Sequence, residues 1–181
     1  IESDGTNNNT AIGFATAASG GAISEKVRID PSGRVTTPYQ PSFSAGNNSN
    51  TSVSGGQNII FDTVTGAHWN TGGHYSTSNG RFTAPVAGKY FFSTLVLYMS
   101  LTDGDEMTDQ FYIRVNGVTY AYSFRRAEYV TGTTGVGGYY SDFSNKMLNL
   151  AAGDYVHIVQ RKTNTVHGNL AYTWFNGYLI G

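Results

Sequence analysis

The chain of 181 residues contains no cysteine, and only 13% of its residues are charged. The absence of cysteine excludes a disulfide-stabilised scaffold and any thiolate metal site, so stability must come from packing or from assembly. The formal net charge is −1, which provides no basic field for nucleic acid. The longest apolar run, residues 90–99, is about half the length of a membrane helix. Nucleic-acid binding and membrane insertion are therefore excluded as predicted functions.

The residues that are abundant favour strands and turns. There are 23 Gly and 13 Tyr, together with many Asn, Ser and Thr. Alternating segments separated by glycine-rich turns predict ten short strands, near residues 41–45, 58–63, 67–69, 81–84, 89–99, 110–116, 118–124, 139–150, 154–162 and 170–180. The predicted fold class is all-β, a sandwich or jelly roll.

Residues 1–37 differ in composition and sequence pattern from residues 38–181, so we predict an N-terminal stem or linker followed by a head domain. Residues 25–35 alternate Val27 and Ile29 with charged residues before a Pro31-Ser32-Gly33 turn, which predicts a small hairpin. Such a hairpin cannot bury its apolar face alone, so the segment is either disordered or a stem wound with copies of itself. Because the chain begins at Ile1 without Met or a signal-like start, we expect a fragment or processed product of a longer protein.

The predicted strand at 89–99 is apolar on both faces. Alternation places Tyr90, Phe92, Val96 and Tyr98 on one face and Phe91, Leu95, Leu97 and Met99 on the other. A strand that lies on a single core normally alternates apolar and polar residues, so this strand must be covered on both sides. A partner subunit is the predicted second cover.

Loop lengths alternate between short and long along the second half of the chain. In an up-and-down arrangement successive connections fall at opposite ends, so the long connections gather at one pole. By this parity the predicted display loops are residues 46–57, 70–80, 100–109, 125–138 and 163–169.

A series of spaced motifs resembles the globular-head family of complement C1q. The motifs are Phe61-Asp62-Thr63-Val64, then the run from Gly80 to Phe92, then Gly153-Asp154-Tyr155-Val156, and finally the run from Trp174 to Ile180. The resemblance implies a C1q/TNF-like jelly roll of ten strands that assembles as a homotrimer, with the chain ends at the base and the loops at the apex. In such a trimer we expect the trimer core to include Tyr90, Phe92, Tyr98 and Trp174.

The segment Glu25 to Val35 resembles the repeat-like segment that precedes such heads in bacteriophage tail-fibre proteins. Stem and head together resemble the distal end of a viral fibre. The resemblance implies a location on the virion surface, outside the cell, with two identical subunits and a host cell-surface receptor as partners.

The acidic residues in two of the predicted loops are candidate ligands for a metal ion. Several members of the C1q family bind calcium through Asp residues in the loop corresponding to residues 125–138, but here that loop holds only Glu128, beside Arg125 and Arg126. The weak alternative ligands are Asp103, Asp105, Glu106 and Asp109, which offer oxygen atoms but lack the spacing of a known calcium loop. We therefore predict a solvated loop and no cofactor, with calcium as the alternative.

No catalytic motif is present. The sequence has no G-x-S-x-G, HExxH, P-loop or G-x-G-x-x-G pattern. A polysaccharide-cutting activity would need paired carboxylates, and residues 103–109 supply several only on a predicted loop. We predict that the protein is not an enzyme, with a depolymerase as the catalytic alternative.

The predicted function is a trimeric receptor-binding head of a virion fibre that attaches to a host cell-surface molecule, most readily a glycan. The predicted receptor-binding residues are Trp69, Tyr75, Asp103, Asp105, Arg125, Arg126 and Tyr129. Aromatic rings among Ser, Thr, Asn and Gly resemble the mixture used by antibody binding sites, although packing between strands is the alternative role for each ring. The alternative function is a purely structural trimerisation or capsid-decorating knob.

Overall fold

The computed structural model describes residues 2–3 (backbone only), 10–17, 19–101, 110–123 and 138–181. All regular elements in these ranges are strands, numbered β1 to β16. The described residues include no helix that is long and apolar enough to cross a membrane. The chain divides into two compact units, Ile1–Gln40 and Pro41–Gly181.

The first unit is a four-stranded antiparallel sheet. Its strands follow chain order: β1 (Glu2–Ser3), β2 (Thr10–Thr16), β3 (Ser24–Ile29) and β4 (Val35–Thr36). The hairpin predicted from residues 25–35 is confirmed as β3–β4. The Asp30 carboxylate closes its turn by accepting hydrogen bonds from the backbone N–H groups of Ser32 and Arg34 at 2.9 and 3.0 Å.

This small sheet keeps its apolar side chains on one face. Ile12 pairs with Ile29, which pairs with Val35, and Phe14 pairs with Val27. Directly paired residues of antiparallel strands share a face. Phe14 is 59% exposed and Val35 62% exposed, so within the described residues of this unit the face has no second layer.

The second unit is a sandwich of two antiparallel sheets. Its strands are β5 (Ser42–Gly46), β6 (Thr51–Val53), β7 (Trp69–Thr71), β8 (Tyr75–Ser76), β9 (Arg81–Thr83), β10 (Gly88–Leu101), β11 (Phe111–Val115), β12 (Val118–Tyr122), β13 (Gly138–Leu150), β14 (Tyr155–Gln160), β15 (Asn164–Val166) and β16 (Trp174–Leu179). The first sheet has seven strands in the order β6-β15-β10-β16-β5-β7, with β13 pairing along the other side of β10. The second sheet has five strands in the order β12-β11-β14-β9-β8. The predicted all-β jelly-roll sandwich is confirmed.

The core between the two sheets is aromatic. The Phe43 ring lies 5.0 Å from that of Phe82 and 4.9 Å from that of Phe175, measured between centroids. Burying each such ring contributes roughly 1.5–3 kcal/mol. Gly177 is part of this packing, because a Cβ there would come within 2.6 Å of ring atoms of Phe43 and Phe92.

Several strand predictions need correction. Residues 58–63 form only two isolated bridges, Asn58 with Val159 and Gly46 with Thr63. The short strands β6, β8 and β15 were not predicted, because segments of two or three residues carry too little alternation. The Asn116-Gly117 turn between β11 and β12 was predicted, and its positive φ angles of 49° and 84° fit the tight hairpin turn favoured by this dipeptide.

Candidate functional site

Strand β10 has one face inside the sandwich of its own chain. Tyr90, Phe92 and Tyr98 are fully buried there. The Tyr90 hydroxyl donates to the Val86 carbonyl at 2.8 Å, and the Tyr98 hydroxyl donates to the Gln160 side-chain oxygen at 3.1 Å. Burial raises the pKa of Tyr98. The assignment of these three residues to a trimer core is therefore wrong, because the second sheet of the same chain already covers them.

The opposite face of β10 is apolar and has no cover among the described residues. The register aligns Met147, Phe91 and Tyr178 in one row across β13, β10 and β16. A second row contains Phe143, Leu95 and Trp174. We call these six residues, with Leu97 and Met99, the apolar face. Met147 is 69% exposed and Phe143 is 52% exposed, and contiguous exposure of this kind marks an interaction surface.

Of the four residues predicted for a trimer core, only Trp174 lies on this face, where it is partly exposed. The sequence analysis omitted Phe143 and Met147. They share one face of β13 with the polar residues Ser141 and Asn145, so that face mixes apolar and polar side chains and carries no period of two that would have identified them.

A polar row crosses the apolar face between its two apolar rows. It consists of Asn145, Ser93, Asn176 and Ser44, paired across four strands. The Asn176 side-chain oxygen is buried and has no hydrogen-bond partner among the described residues. Buried polar atoms are normally paired, so this acceptor is an exception among the described residues.

Two of the predicted display loops meet at one pole. Strands β6 and β15 pair within loops 46–57 and 163–169. The Gly168 N–H donates to the Asn50 side-chain oxygen at 2.8 Å, and Gly168 packs so closely on Ser49 that a Cβ there would overlap it. We call this pair of loops the loop pole. A cavity of about 200 Å³ beside it is lined mainly by polar residues, among them Asn47, Thr51, Ser54 and Gln57.

The prediction that loop 70–80 belongs to the same pole is wrong for its first half, residues 70–74. Thr71 pairs with Ser42 at the start of the head, and the His74 carbonyl accepts a hydrogen bond from the Thr83 N–H at 2.8 Å. This places the 72–74 turn at the opposite end, which we call the base. Strand β8, which was not predicted, adds one more reversal of chain direction after β7. The assignment of loops to alternate ends of the sandwich is therefore shifted by one at this point.

Tyr75 belongs to the core, which corrects its assignment as a receptor contact. It is 3% exposed, and its ring stacks on Phe43 at 4.8 Å. Its hydroxyl accepts from the Phe61 N–H and donates to the Phe61 carbonyl, both at 3.2 Å. Burial is the main cause that raises its pKa.

Trp69 lies on the edge strand β7, away from the loop pole. It pairs with Ser44, and its indole N–H donates to the Ser42 hydroxyl at 3.2 Å. The side chain is half-exposed. Trp69 therefore remains accessible, but on the first sheet and not at the apex where it was predicted.

The remaining predicted residues fall outside the described ranges. These are Asp103, Asp105, Arg125, Arg126 and Tyr129, together with the weak metal candidates Glu106 and Asp109. Within the ranges that are described, no group of three or more His, Asp or Glu side chains could hold a metal ion.

Comparison with known proteins identifies the second unit. The family model of the C1q domain matches residues 42–180. Similar solved structures include the globular domain of zebrafish complement 1qA protein, at 19% identity and a TM-score of 0.55, covering 78% of this chain and 98% of that one. Eiger TNF from S. frugiperda is 12% identical with a TM-score of 0.57, covering 78% of this chain and 93% of that one.

Murine APRIL is a third similar structure, 14% identical with a TM-score of 0.57, covering 78% of this chain and 99% of that one. No curated protein matches the sequence. At these identities the structural likeness shows a shared fold, while the family model covers most of the chain. The chain belongs to the C1q domain family.

Proposed function

We propose that the chain forms a homotrimer through its apolar face and serves as the receptor-binding head of a virion fibre. In this role it sits on the virion surface and attaches without catalysis to a host cell-surface molecule, with a glycan as the preferred receptor. The observation that carries the proposal is that no described residue covers the apolar face, although the core between the two sheets is already filled.

The chemistry of the apolar face supports self-association. Its two outer rows contain Phe, Leu, Met, Trp and Tyr side chains, a composition enriched at the centres of subunit interfaces. The unpartnered Asn176 oxygen lies among them. Three copies is the number that the C1q-family resemblance implies, so each chain would have two identical partners.

The position of the loop pole supports a role in attachment. The first head strand begins at Ser42, and the Pro41 carbonyl accepts from the Leu179 N–H at 3.0 Å. Both residues lie at the base. A fibre joined through the residues before Ser42 would therefore leave the loop pole unobstructed.

Two successive measurements test the proposal. Light scattering on the full chain should give a mass three times that of the monomer, and a monomer at micromolar concentration would contradict the first step. Adsorption to host cells should then fall when residues 48–50 and 167–169 are replaced by Gly/Ser segments of equal length. The matched control replaces the 72–74 turn at the base, which should leave adsorption unchanged.

A structural knob is the second candidate. It is favoured by the exposed apolar side chains of the first unit, which indicate that assembly extends beyond the head. A knob predicts that the isolated trimer binds no host surface while deletion of the head prevents fibre assembly. Absence of adsorption by the unmodified trimer would favour the knob, whereas adsorption retained after replacement of the loop pole would show that the loop pole is not the receptor site.

A further inference from the structure

The outer face of the second sheet carries a row of basic side chains. The register pairs Arg81 of β9 with His157 of β14, and His157 with Arg114 of β11. The intervening positions Phe82, Val156 and Ile113 are fully buried in the core. Alternation therefore directs Arg81, His157 and Arg114 to the opposite face, and we call these three residues the basic row.

The described residues do not neutralise the basic row. The described ion pairs are Arg28 with Glu25 and Arg34 with Asp30, all in the first unit. Two arginines therefore flank one imidazole across the three strands β11, β14 and β9, with no described carboxylate bonded to them. The whole chain has a formal charge of −1, so the row is a local feature and not part of a generally basic surface.

Neighbouring tyrosines hold both guanidinium groups. The Arg81 guanidinium carbon lies 4.3 Å from the ring centroid of Tyr155, and that of Arg114 lies 5.2 Å from the ring centroid of Tyr112. The Arg114 Nε–H also donates to the Thr119 hydroxyl at 3.1 Å. Stacking of this kind orients the planar donor groups before any ligand arrives.

His157 is held between the arginines and is 5% exposed. Its Nδ1 lies 2.8 Å from the Asn58 side-chain oxygen, and the Asn58 amide donates to the Asn79 carbonyl at 2.8 Å. The His157 Nε2 and the Arg81 Nε are both buried without a hydrogen-bond partner among the described residues. The Arg81 Nε–H is an unused donor for an oxyanion, whereas the His157 Nε2 is an acceptor in the neutral ring and becomes a donor only when the ring is protonated.

Burial, followed by the charges of Arg81 and Arg114, lowers the pKa of His157 to about 4. The imidazole is therefore neutral at neutral pH and adds no charge of its own. An anion bound between the guanidinium groups would offset their repulsion and favour the protonated ring, which would turn Nε2 into a third donor.

The surroundings favour a sugar polymer as the source of the anion. The ring of Tyr112 meets the ring of Tyr122 edge-on at 5.2 Å, and Tyr122 is 60% exposed. Exposed rings beside fixed guanidinium groups suit a chain of sugar rings that carries acidic groups. Arg81 and Arg114 are each partly exposed, so the acidic groups of a polymer can reach them from solvent while the His157 ring stays buried.

We propose that the basic row binds the sulfate or carboxylate groups of an acidic polysaccharide, with the neighbouring tyrosine rings contacting its sugars. The loop pole is a separate surface, so this binding does not depend on the receptor role proposed above.

The test uses the full chain with three immobilised polymers: dextran sulfate, polygalacturonate and neutral dextran. The first two separate sulfate from carboxylate recognition, and the third measures binding without charge. We expect saturable binding to at least one acidic polymer. The double substitution Arg81→Gln with Arg114→Gln should weaken it at least ~30-fold, since one charged hydrogen bond is worth roughly tenfold or more.

The matched control is Lys89→Gln with Lys146→Gln, which removes two exposed positive charges from the first sheet. We expect it to change affinity less than ~3-fold. An equal loss in both double variants would overturn the proposal in favour of diffuse charge attraction, and so would the absence of saturable binding to either acidic polymer. Replacement of the loop pole should leave this binding intact, which separates it from the proposed receptor site.

A second readout needs no substitution in the basic row. The ring-proton NMR signal of His157 is followed against pH with and without a sulfated or a glucuronic-acid disaccharide. The ligand that binds should raise the titration midpoint by about one unit or more, because it places a negative charge beside the ring. An unchanged midpoint at saturating disaccharide would overturn the proposal even if the arginine variants failed to fold.

Discussion

The outer faces of the two sheets differ although both sheets share one core. The outward positions of β10 include Phe91, Leu95 and Leu97, whereas those on the central strands of the second sheet include Arg81, His157 and Arg114. The inward positions of both sheets are mostly aromatic or aliphatic, with Thr94 and Gln160 among the buried polar exceptions. Since the fold needs only the inward positions, each outward face indicates what that side of the domain contacts.

The largest expected effect tests the first of these faces. Leu95→Glu places a carboxylate at the centre of the apolar face, where an assembled trimer would bury it without a partner. An unpaired buried charge costs about 3–5 kcal/mol, so the trimer should dissociate at micromolar concentration, as measured by light scattering. Thr83→Glu adds the same charge to an exposed position of the second sheet and should leave the trimer intact. A trimeric Leu95→Glu variant would show that the apolar face is not the interface.

The second prediction tests the other face through pH. The folded-state pKa of His157 is about 4, below the ordinary value of 6.5, so the unfolded chain binds the proton first as pH falls. This contribution to stability is complete above pH 6.5 and is lost as pH falls toward 4. From about pH 7.5 to about pH 4.5 it should remove about 2–3 kcal/mol.

Urea unfolding at these two pH values measures that loss. His157→Gln has no titrating ring, so the pH-dependent part of its unfolding free energy should be smaller than that of the wild type by this amount. Equal pH dependence in the two proteins would show that His157 is not held neutral by its neighbours.

A third prediction concerns a residue that lies on neither outer face. Tyr75→Phe removes the hydroxyl that bonds both the N–H and the carbonyl of Phe61. The variant should lose about 1–2 kcal/mol of unfolding free energy, because the buried peptide groups lose a partner. Tyr120→Phe, at an exposed ring, is the control and should be neutral. Reduced host adsorption by a stably folded Tyr75→Phe trimer would restore Tyr75 as a receptor contact.

The smallest expected effect is a near absence of salt dependence in trimer formation. The rows of the apolar face contain no ionic side chains. Raising salt from about 0.05 M to about 0.5 M should therefore change the association constant of the trimer less than ~3-fold. Binding of an acidic polysaccharide to the basic row should weaken strongly over the same range. Analytical ultracentrifugation and polymer binding at matched salt concentrations compare the two faces, and a salt-sensitive trimer would remove the distinction between them.

The sequence predicted the sandwich because long strands carry a strong period of two. It identified Leu95 and Phe91 as members of a face that needs a second cover, and no residue in the described ranges covers that face. It placed Tyr90, Phe92 and Tyr98 in a trimer core, although the second sheet of the same chain buries them. Alternation separates the two faces of a strand but does not indicate which face packs on the chain's own second sheet. It misplaced Tyr75 and the 72–74 turn because strands of two or three residues leave no periodic signal.

The basic row was not predicted, for a related physical reason. Arg81, Arg114 and His157 are far apart in sequence and become neighbours only through the register of three strands. Each residue alone resembles an ordinary surface charge or a packing histidine. Strand register depends on pairing between distant segments, which one sequence without aligned relatives does not specify.

The pairing of the first and last head strands has a consequence for protein engineering. Ser42 and Tyr178 are partners in β5 and β16, so the points where the chain enters and leaves this domain lie side by side. A short linker could join them and new ends could be opened at another exposed turn, such as Asn116-Gly117, without crossing the core. The head is therefore suited to circular permutation and to insertion into a surface loop of an unrelated scaffold.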